Sequence, residues 1–238
     1  MGCLARGPRI DGMTPLSRTP EDVSPSRRRD ARANRERLLT EARILIAENG
    51  IEASLEEIAR RAEVGVATLY RNFPTRDDLV RALHATALAD LLPVREEIEA
   101  APTAWDGVVV YLERVIEWLV ADPSLPPILK RMAVIEPGMR SGDRFESFIA
   151  ELVEQAKVES SLRSDVYAVD LAVLITLIGS LGSLGNGYAG QWHRQLSIAL
   201  DGLRPPGHDR AKLPGRPLNV KQFRASMHGL SRRSRRAT

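Results

Sequence analysis

A single cysteine, Cys3, stands in the 238 residues. That excludes an intramolecular disulfide and any zinc site built on cysteine pairs. Aromatics are scarce as well: four Phe, four Tyr and three Trp make up 5% of the chain. So few rings would fill a β-rich core poorly, and the apolar volume must come from Leu, Ala, Ile and Val, which favours helices. The four histidines, His84, His193, His208 and His228, show neither metal-ligand spacing nor a HExxH run. GSLGSLG at 179–185 has the wrong spacing for a dinucleotide fingerprint, and no strand precedes it. The paired acids Glu56-Glu57, Asp77-Asp78 and Glu96-Glu97 fall at helix starts or on exposed faces, where they serve capping and solubility. No catalytic residues, no metal and no cofactor are expected.

Long apolar runs are missing too. The longest uncharged stretch covers residues 171–193, but only about its first fourteen residues are strongly apolar, and Gly185, Asn186, Gly187, Gly190 and Gln191 follow. A membrane span needs roughly 20 predominantly apolar residues, so this stretch reads as a buried helix. The segment MGCLARGPRIDGM lacks a secretory apolar core and has Arg6 where a myristoylation motif wants Ser or Thr. A cytoplasmic protein without membrane attachment is expected, with Met13 as an alternative start.

Charge is present in both signs but is divided along the chain. Residues 1–37 hold nine Arg against five acids, residues 38–205 hold 16 bases against 25 acids, and residues 206–238 hold nine bases against one acid. The formal net charge of +3 therefore hides an acidic body between two basic ends. The first 26 residues, rich in Pro, Ser, Gly and Arg without apolar periodicity, read as disordered, and residues 1–31 as a basic arm. Residues 205–238 have no durable apolar face and end in RRSRR, so they read as an unfolded basic tail.

Between the two ends the pattern is helical. Leu38, Ala42, Leu45, Ile46 and Asn49 share one face of a first helix that stops at Gly50. Ser54 is an N-cap, and Glu57 completes a capping box ahead of a second helix over about 55–62. After a tight connection at Glu63, Val64 and Gly65, a third helix carries Val66, Leu69 and Phe73 inward and ends at Pro74. Thr75 caps a fourth helix along Leu79, Val80, Leu83 and Leu91. Further helices are expected at 93–100, 104–121, 125–135, 142–159, 166–184 and 189–203, with no strand. The fold class is thus all-α.

Three short helices, with the second and third about three residues apart, match the helix-turn-helix pattern. Ala59 is small enough for the third helix to cross closely, and Thr68, Arg71 and Asn72 point outward. Arg and Asn can pair bidentately with guanine and adenine edges, and Thr can bond phosphate or pack on a thymine methyl. Arg32, Arg35, Arg60, Arg61 and Arg76 surround this face and can neutralise phosphates. On spacing alone, an ordinary helical bundle with solvated arginines is the more usual reading of three such helices.

The string SLEEIARRAEVGVATLYRNFPTRDDLVRAL at 54–83 resembles the DNA-binding domain of the TetR family of bacterial transcriptional regulators. The likeness rests on Ile58-Ala59, Ala62, Val64, Thr68-Leu69-Tyr70, Phe73 and residues 76–79, and covers about residues 33–80. It implies a helix-turn-helix domain over 32–78, a helical sensing and dimerisation domain over 79–204, and a homodimer on a palindromic double-stranded operator. It also implies backbone contacts at Ser54, Thr68, Tyr70 and Arg76. Base contacts are implied at Val66, Ala67, Arg71 and Asn72, with Gly65 at the entrance of the third helix. Repression is the commoner mode in the family. Two residues depart from its pattern: Glu63 and Ala67 stand where Gly is usual.

The resemblance further implies a dimer interface on the last two helices, with Leu174, Ile178, Leu181, Trp192, Leu196 and Leu200 as candidates. An intramolecular core remains the other reading of the same residues. Gly179, Gly182 and Gly185 permit close helix approach. A pocket for a hydrophobic small-molecule effector is implied between the two regions. Its candidate lining is Trp105, Tyr111, Trp118, Met132, Met139, Phe145 and Phe148, with His84, Arg114 and Arg131 as polar partners. A scaffold dimer without DNA binding, or a helical enzyme, are the competing classes.

Overall fold

A computed structural model describes residues 25–136, 143–184 and 190–208. Every element among the described residues is helical, as the all-α expectation requires. Cys3, Met13, Met139, Gly185, His228, the arm before residue 25 and the tail from 209 lie outside them.

The first helix, α1, runs Pro25–Asn49 and so begins seven residues before the expected domain start at Arg32. Pro fits the first helical turn because its φ is already helical, and RRRDARAN is rich in good helix formers. Residues 29–33 are exposed, so this stretch has no apolar periodicity to betray it. Gly50 ends α1 at φ +81, with its N–H on the Ile46 carbonyl at 2.8 Å, a backbone conformation that Gly adopts without strain. Two short helices follow, α2 Leu55–Arg61 and α3 Val66–Asn72, and then α4 Arg76–Ala89. The α4 start is a complete capping box between Thr75 and Asp78.

These helices close on one core of Leu38, Leu45, Ile58, Ala59, Leu69, Phe73, Leu79 and Leu83. Fully burying each large side chain is worth about 1.5–3 kcal/mol. The core is completed from outside the head by Ile128 and Met132 of α7, Leu125–Ile135. Met132, a candidate for the effector pocket, is therefore part of the head's packing. Three ion pairs reinforce the junction. Arg131 reaches Asp77 at 2.8 Å, Arg81 reaches Glu136 at 2.7 Å, and Arg43 of α1 reaches Asp122 at 2.6 Å.

The body is built around α6, Ala104–Ala121, which is packed by α5 Leu92–Glu99, α8 Asp143–Val158, α9 Ala168–Gly179 and α10 Gln191–Leu203. The apolar stretch read as one helix over 166–184 gives way to a 3₁₀ turn at Ser180–Leu184. A Cβ on Gly182 would lie 2.7 Å from the Val120 Cα, and one on Gly179 the same distance from the Leu119 side chain. The glycine spacing therefore serves close approach of α9 and its 3₁₀ turn to α6 within this chain. No helix among the described residues is long and apolar enough to cross a membrane.

Candidate nucleic-acid interface

Ser54 sits just ahead of α2 in an extended conformation, and its Oγ accepts the Glu57 N–H at 3.3 Å. The expected capping box closes only on this side. Glu57 turns its carboxylate to Arg60 at 2.6 Å and Arg61 at 3.2 Å, and the paired guanidinium of Arg60 holds it down at about 2. A two-cation partner outcompetes a single backbone N–H for an exposed carboxylate.

The connection from α2 to α3 bends through Glu63, whose φ of 53 is the left-handed conformation that a non-Gly residue there requires. The Val64 N–H then bonds the Ala59 carbonyl at 2.9 Å, and Gly65 starts α3 by accepting from Thr68 and Leu69. Leu69 and Phe73 are buried and fasten α3 to the head. Val66, expected inward, is instead 42% exposed. It lies in the first turn, three residues before Leu69, where the core has already been closed by Val64. Val66, Ala67, Tyr70 and Arg71 are exposed, and Thr68 and Asn72 are half-buried beside them. One side of α3 is thus core and the other is free, with a width suited to a major groove.

The polar side chains on this face differ in how free they are. Arg71 donates to Thr68 Oγ1 at 2.7 Å, a local exposed contact that any stronger acceptor can replace. Asn72 donates from Nδ2 to the Thr68 carbonyl at 2.8 Å, so one edge of its amide is turned back onto α3 and only the remainder can meet a base. Tyr70 Oη donates to Glu56 Oε1 at 3.1 Å, and this contact raises the phenol above its ordinary range. Arg76 donates to the Ile51 and Ala53 carbonyls at 2.9 and 2.6 Å. It braces the α1–α2 loop, a role that spacing could not reveal.

Of the other arginines read as phosphate partners, Arg32 is exposed and paired with Glu36 at 2.8 Å, while Arg35 lies 4.6 Å over the Phe73 ring. Arg61 is tied to Glu48 and Glu57. Exposed pairs of this kind are weak and exchange easily for phosphate. Glu56, between Ser54 and Tyr70, is a residue of this face that the sequence reading left aside. Its position at the second residue of α2, beside the capping Ser, was the available signal.

The candidates for a pocket do not form one group. Tyr111, Phe145 and Phe148 cluster, with ring centroids 6.0 and 6.1 Å apart, and burial pushes the Tyr111 phenol up to about 12. Trp105 is buried in the body core, under the Arg204 guanidinium at 3.8 Å. Trp118 packs against the same core, and its Nε1 is buried without a hydrogen-bond partner. His84 is buried on α4, where loss of hydration lowers its pKa despite the nearby Glu136. Arg114 is exposed and bound to Glu97 and Glu117, and Arg131 is bound to Asp77. A cavity of about 930 Å³ opens elsewhere, between the ends of α8 and α10, beside Lys157, Arg163, Asp201 and Arg204.

The candidates for a dimer interface point mostly the other way. Ile178, Trp192 and Leu196 are buried in the chain's own core, and Leu174, Leu181 and Leu200 pack partly against it. The apolar side chains that α9 leaves in solvent are Val169, Val173 and Leu177, with Ile198 on α10. An all-round apolar helix offers no pattern by which the sequence could choose between these two faces.

Comparison with known proteins agrees with this geometry. The family model for bacterial regulatory proteins of the tetR family matches residues 38–83, which run from the core of α1 to Leu83 of α4. Among solved structures, a TetR transcriptional regulator from Streptomyces coelicolor is 30% identical, over 73% of this chain and 99% of that one, with a TM-score of 0.49. A TetR regulatory protein from Mycobacterium vanbaalenii is 24% identical over 75% and 99%, with a TM-score of 0.49. A gamma-butyrolactone receptor described as ArpA-like shares the fold at 16% identity over 86% and 99%, with a TM-score of 0.56. No curated protein matches the sequence. With a helix-turn-helix head whose α3 is bare on its outer side, and with the sequence likeness running through the body to a known regulator, the chain belongs to the TetR family of bacterial regulatory proteins, DNA-binding transcriptional regulators.

Proposed function

We propose that the protein is a ligand-responsive repressor that binds a palindromic operator as a homodimer. The observation that carries this reading is α3, anchored by Leu69 and Phe73 and presenting Val66, Ala67, Tyr70 and Arg71 outward. In the major groove, Arg71 has the fork to pair with a guanine edge, and Val66 and Ala67 offer small apolar surfaces to a thymine methyl. Ser54, Thr68 and Tyr70 are placed for phosphate, and the α1 arginines Arg32 and Arg35 add sequence-independent attraction.

Homodimerisation is supported by Val169, Val173 and Leu177, one helical turn apart on the exposed side of α9. An isologous pairing through that strip gives two heads related by a twofold axis, which is what two inverted half-sites require. Effector response is supported by the body core. Its aromatic group around Tyr111 is apolar, and Trp118 Nε1 lacks an acceptor. A hydrophobic ligand carrying one hydrogen-bond acceptor would satisfy it. Any shift of α7 on ligand binding reaches the head through Ile128, Met132 and the Asp77–Arg131 pair, so the spacing of the two α3 helices would follow.

The test is the Arg71→Ala variant on a duplex selected by the wild-type protein. Loss of one bidentate contact is expected to weaken specific binding by about 1–3 kcal/mol per half-site and relax the preference at one base position. Unchanged affinity and unchanged preference would remove α3 from base readout.

A further inference from the structure

Glu56 is fully exposed at the front of α2 and stands between two hydroxyls. Ser54 Oγ donates to its Oε2 at 2.9 Å, and Tyr70 Oη donates to its Oε1 at 3.1 Å. A hydroxyl has one proton to give. Both protons are therefore spent on this carboxylate, while the Ser54 oxygen simultaneously accepts the Glu57 N–H. A DNA phosphate arriving at this face meets two hydroxyls already turned toward another anion, and meets that anion's own charge.

We propose that Glu56 is an internal counter-anion of the DNA interface, a positioning residue that holds the Ser54 and Tyr70 hydroxyls in the free protein and weakens binding to the phosphate backbone until a phosphate displaces it. The inference rests on the DNA-binding reading above and deepens it. The carboxylate is held below its usual range by its own backbone N–H, by Ser54 and Tyr70, and by the charge of Arg76. Protonation near neutral pH therefore does not release the hydroxyls. Release comes by rotation of an exposed side chain, which is fast and needs no change in the fold. Other charges at this place leave the arrangement intact: Arg76 is engaged with the loop carbonyls and Glu52, and Glu57 with Arg60 and Arg61. The effect is the same for every DNA sequence, because phosphates carry no sequence information. Glu56 thus lowers occupancy of nonspecific DNA, where phosphates are nearly all that is offered, and leaves the surplus at the operator to α3.

The experiment measures binding of a labelled mixed-sequence duplex of about 30 base pairs, long enough for two half-sites. It uses the full chain as wild type, Glu56→Gln, Glu56→Ala, Tyr70→Phe and the Glu56→Gln/Tyr70→Phe double variant, across a salt series. Both Glu56 variants are expected to bind roughly three- to tenfold tighter, the scale of a typical hydrogen bond net of hydration. Tyr70→Phe is expected to weaken binding in the wild-type background, and to weaken it more in the Glu56→Gln background, where it reverses much of the gain. A simple loss of negative charge would not produce that dependence on Tyr70. Equal or weaker binding by both Glu56 variants, or the same Tyr70→Phe effect in both backgrounds, overturns the inference and leaves the DNA-binding reading standing. A wild type that binds no duplex even at low salt overturns that reading, and the inference falls with it.

Discussion

Arg76 shows how a side chain read as a phosphate partner can brace a loop. Its guanidinium donates to the carbonyls of Ile51 and Ala53, more than twenty residues earlier, and so fixes the loop that delivers Ser54 to the front of α2. Arg76→Ala leaves those part-buried carbonyls without their donor, and a stability loss of about 1–3 kcal/mol is expected in urea unfolding. Arg76→Lys should recover part of the DNA affinity through its charge but little of the stability, since an ammonium lacks the planar fork. Stability equal to wild type in both variants would refute the brace. At this scale the sequence was only partly legible. The outward position of Arg71 on α3 follows from spacing, whereas the exposure of Val66 and the partners of Arg76, Asn72 and Glu57 depend on groups that only the fold brings near.

At the scale of elements much more could be read in advance. The helices over 104–121 and 125–135 lie where apolar periodicity and Pro or Gly punctuation place them. The start of α1 and the 3₁₀ end after α9 do not, because residues 29–33 are exposed and give no apolar periodicity, and Ser180–Leu184 follows the apolar run of α9 with neither Pro nor charge to mark a break. The turn between α2 and α3 is the most informative joint. Glu63 holds φ 53 without a glycine's freedom, and a Cβ in that region costs about 1–2 kcal/mol. Glu63→Gly is therefore expected to stabilise the protein by up to about 1 kcal/mol, the relief being offset in part by the greater entropy of the unfolded chain. A thermal melt checks it, and a lower melting temperature would mean that the Glu63 side chain contributes more than its backbone conformation costs. The departure from glycine, legible in the sequence, thus becomes a definite strain once the backbone is known.

For the whole molecule, the proposed function requires two heads acting together. The strip of Val169, Val173 and Leu177 is 65%, 52% and 62% exposed, a contiguous apolar face of the kind that marks an interface. The Val173→Asp/Leu177→Asp double variant is expected to sediment as a monomer at concentrations where the wild type sediments as a dimer. A variant that remains dimeric would move the interface to another face. The candidate residues Ile178, Trp192 and Leu196 make poor probes, because their replacement would empty the chain's own core. The charge partition also takes on meaning at this scale. The basic start of α1 joins the head, and the acidic stretch over 38–205 takes in the rest of the head and the whole body.

The most direct test of the account is selection of bound sequences from a random duplex pool by the wild-type protein. The account predicts an enriched palindrome, its half-sites centred about one helical turn or a multiple of it apart, with affinity falling steeply as salt rises. A pool that yields no consensus, or one without inverted symmetry, would contradict it.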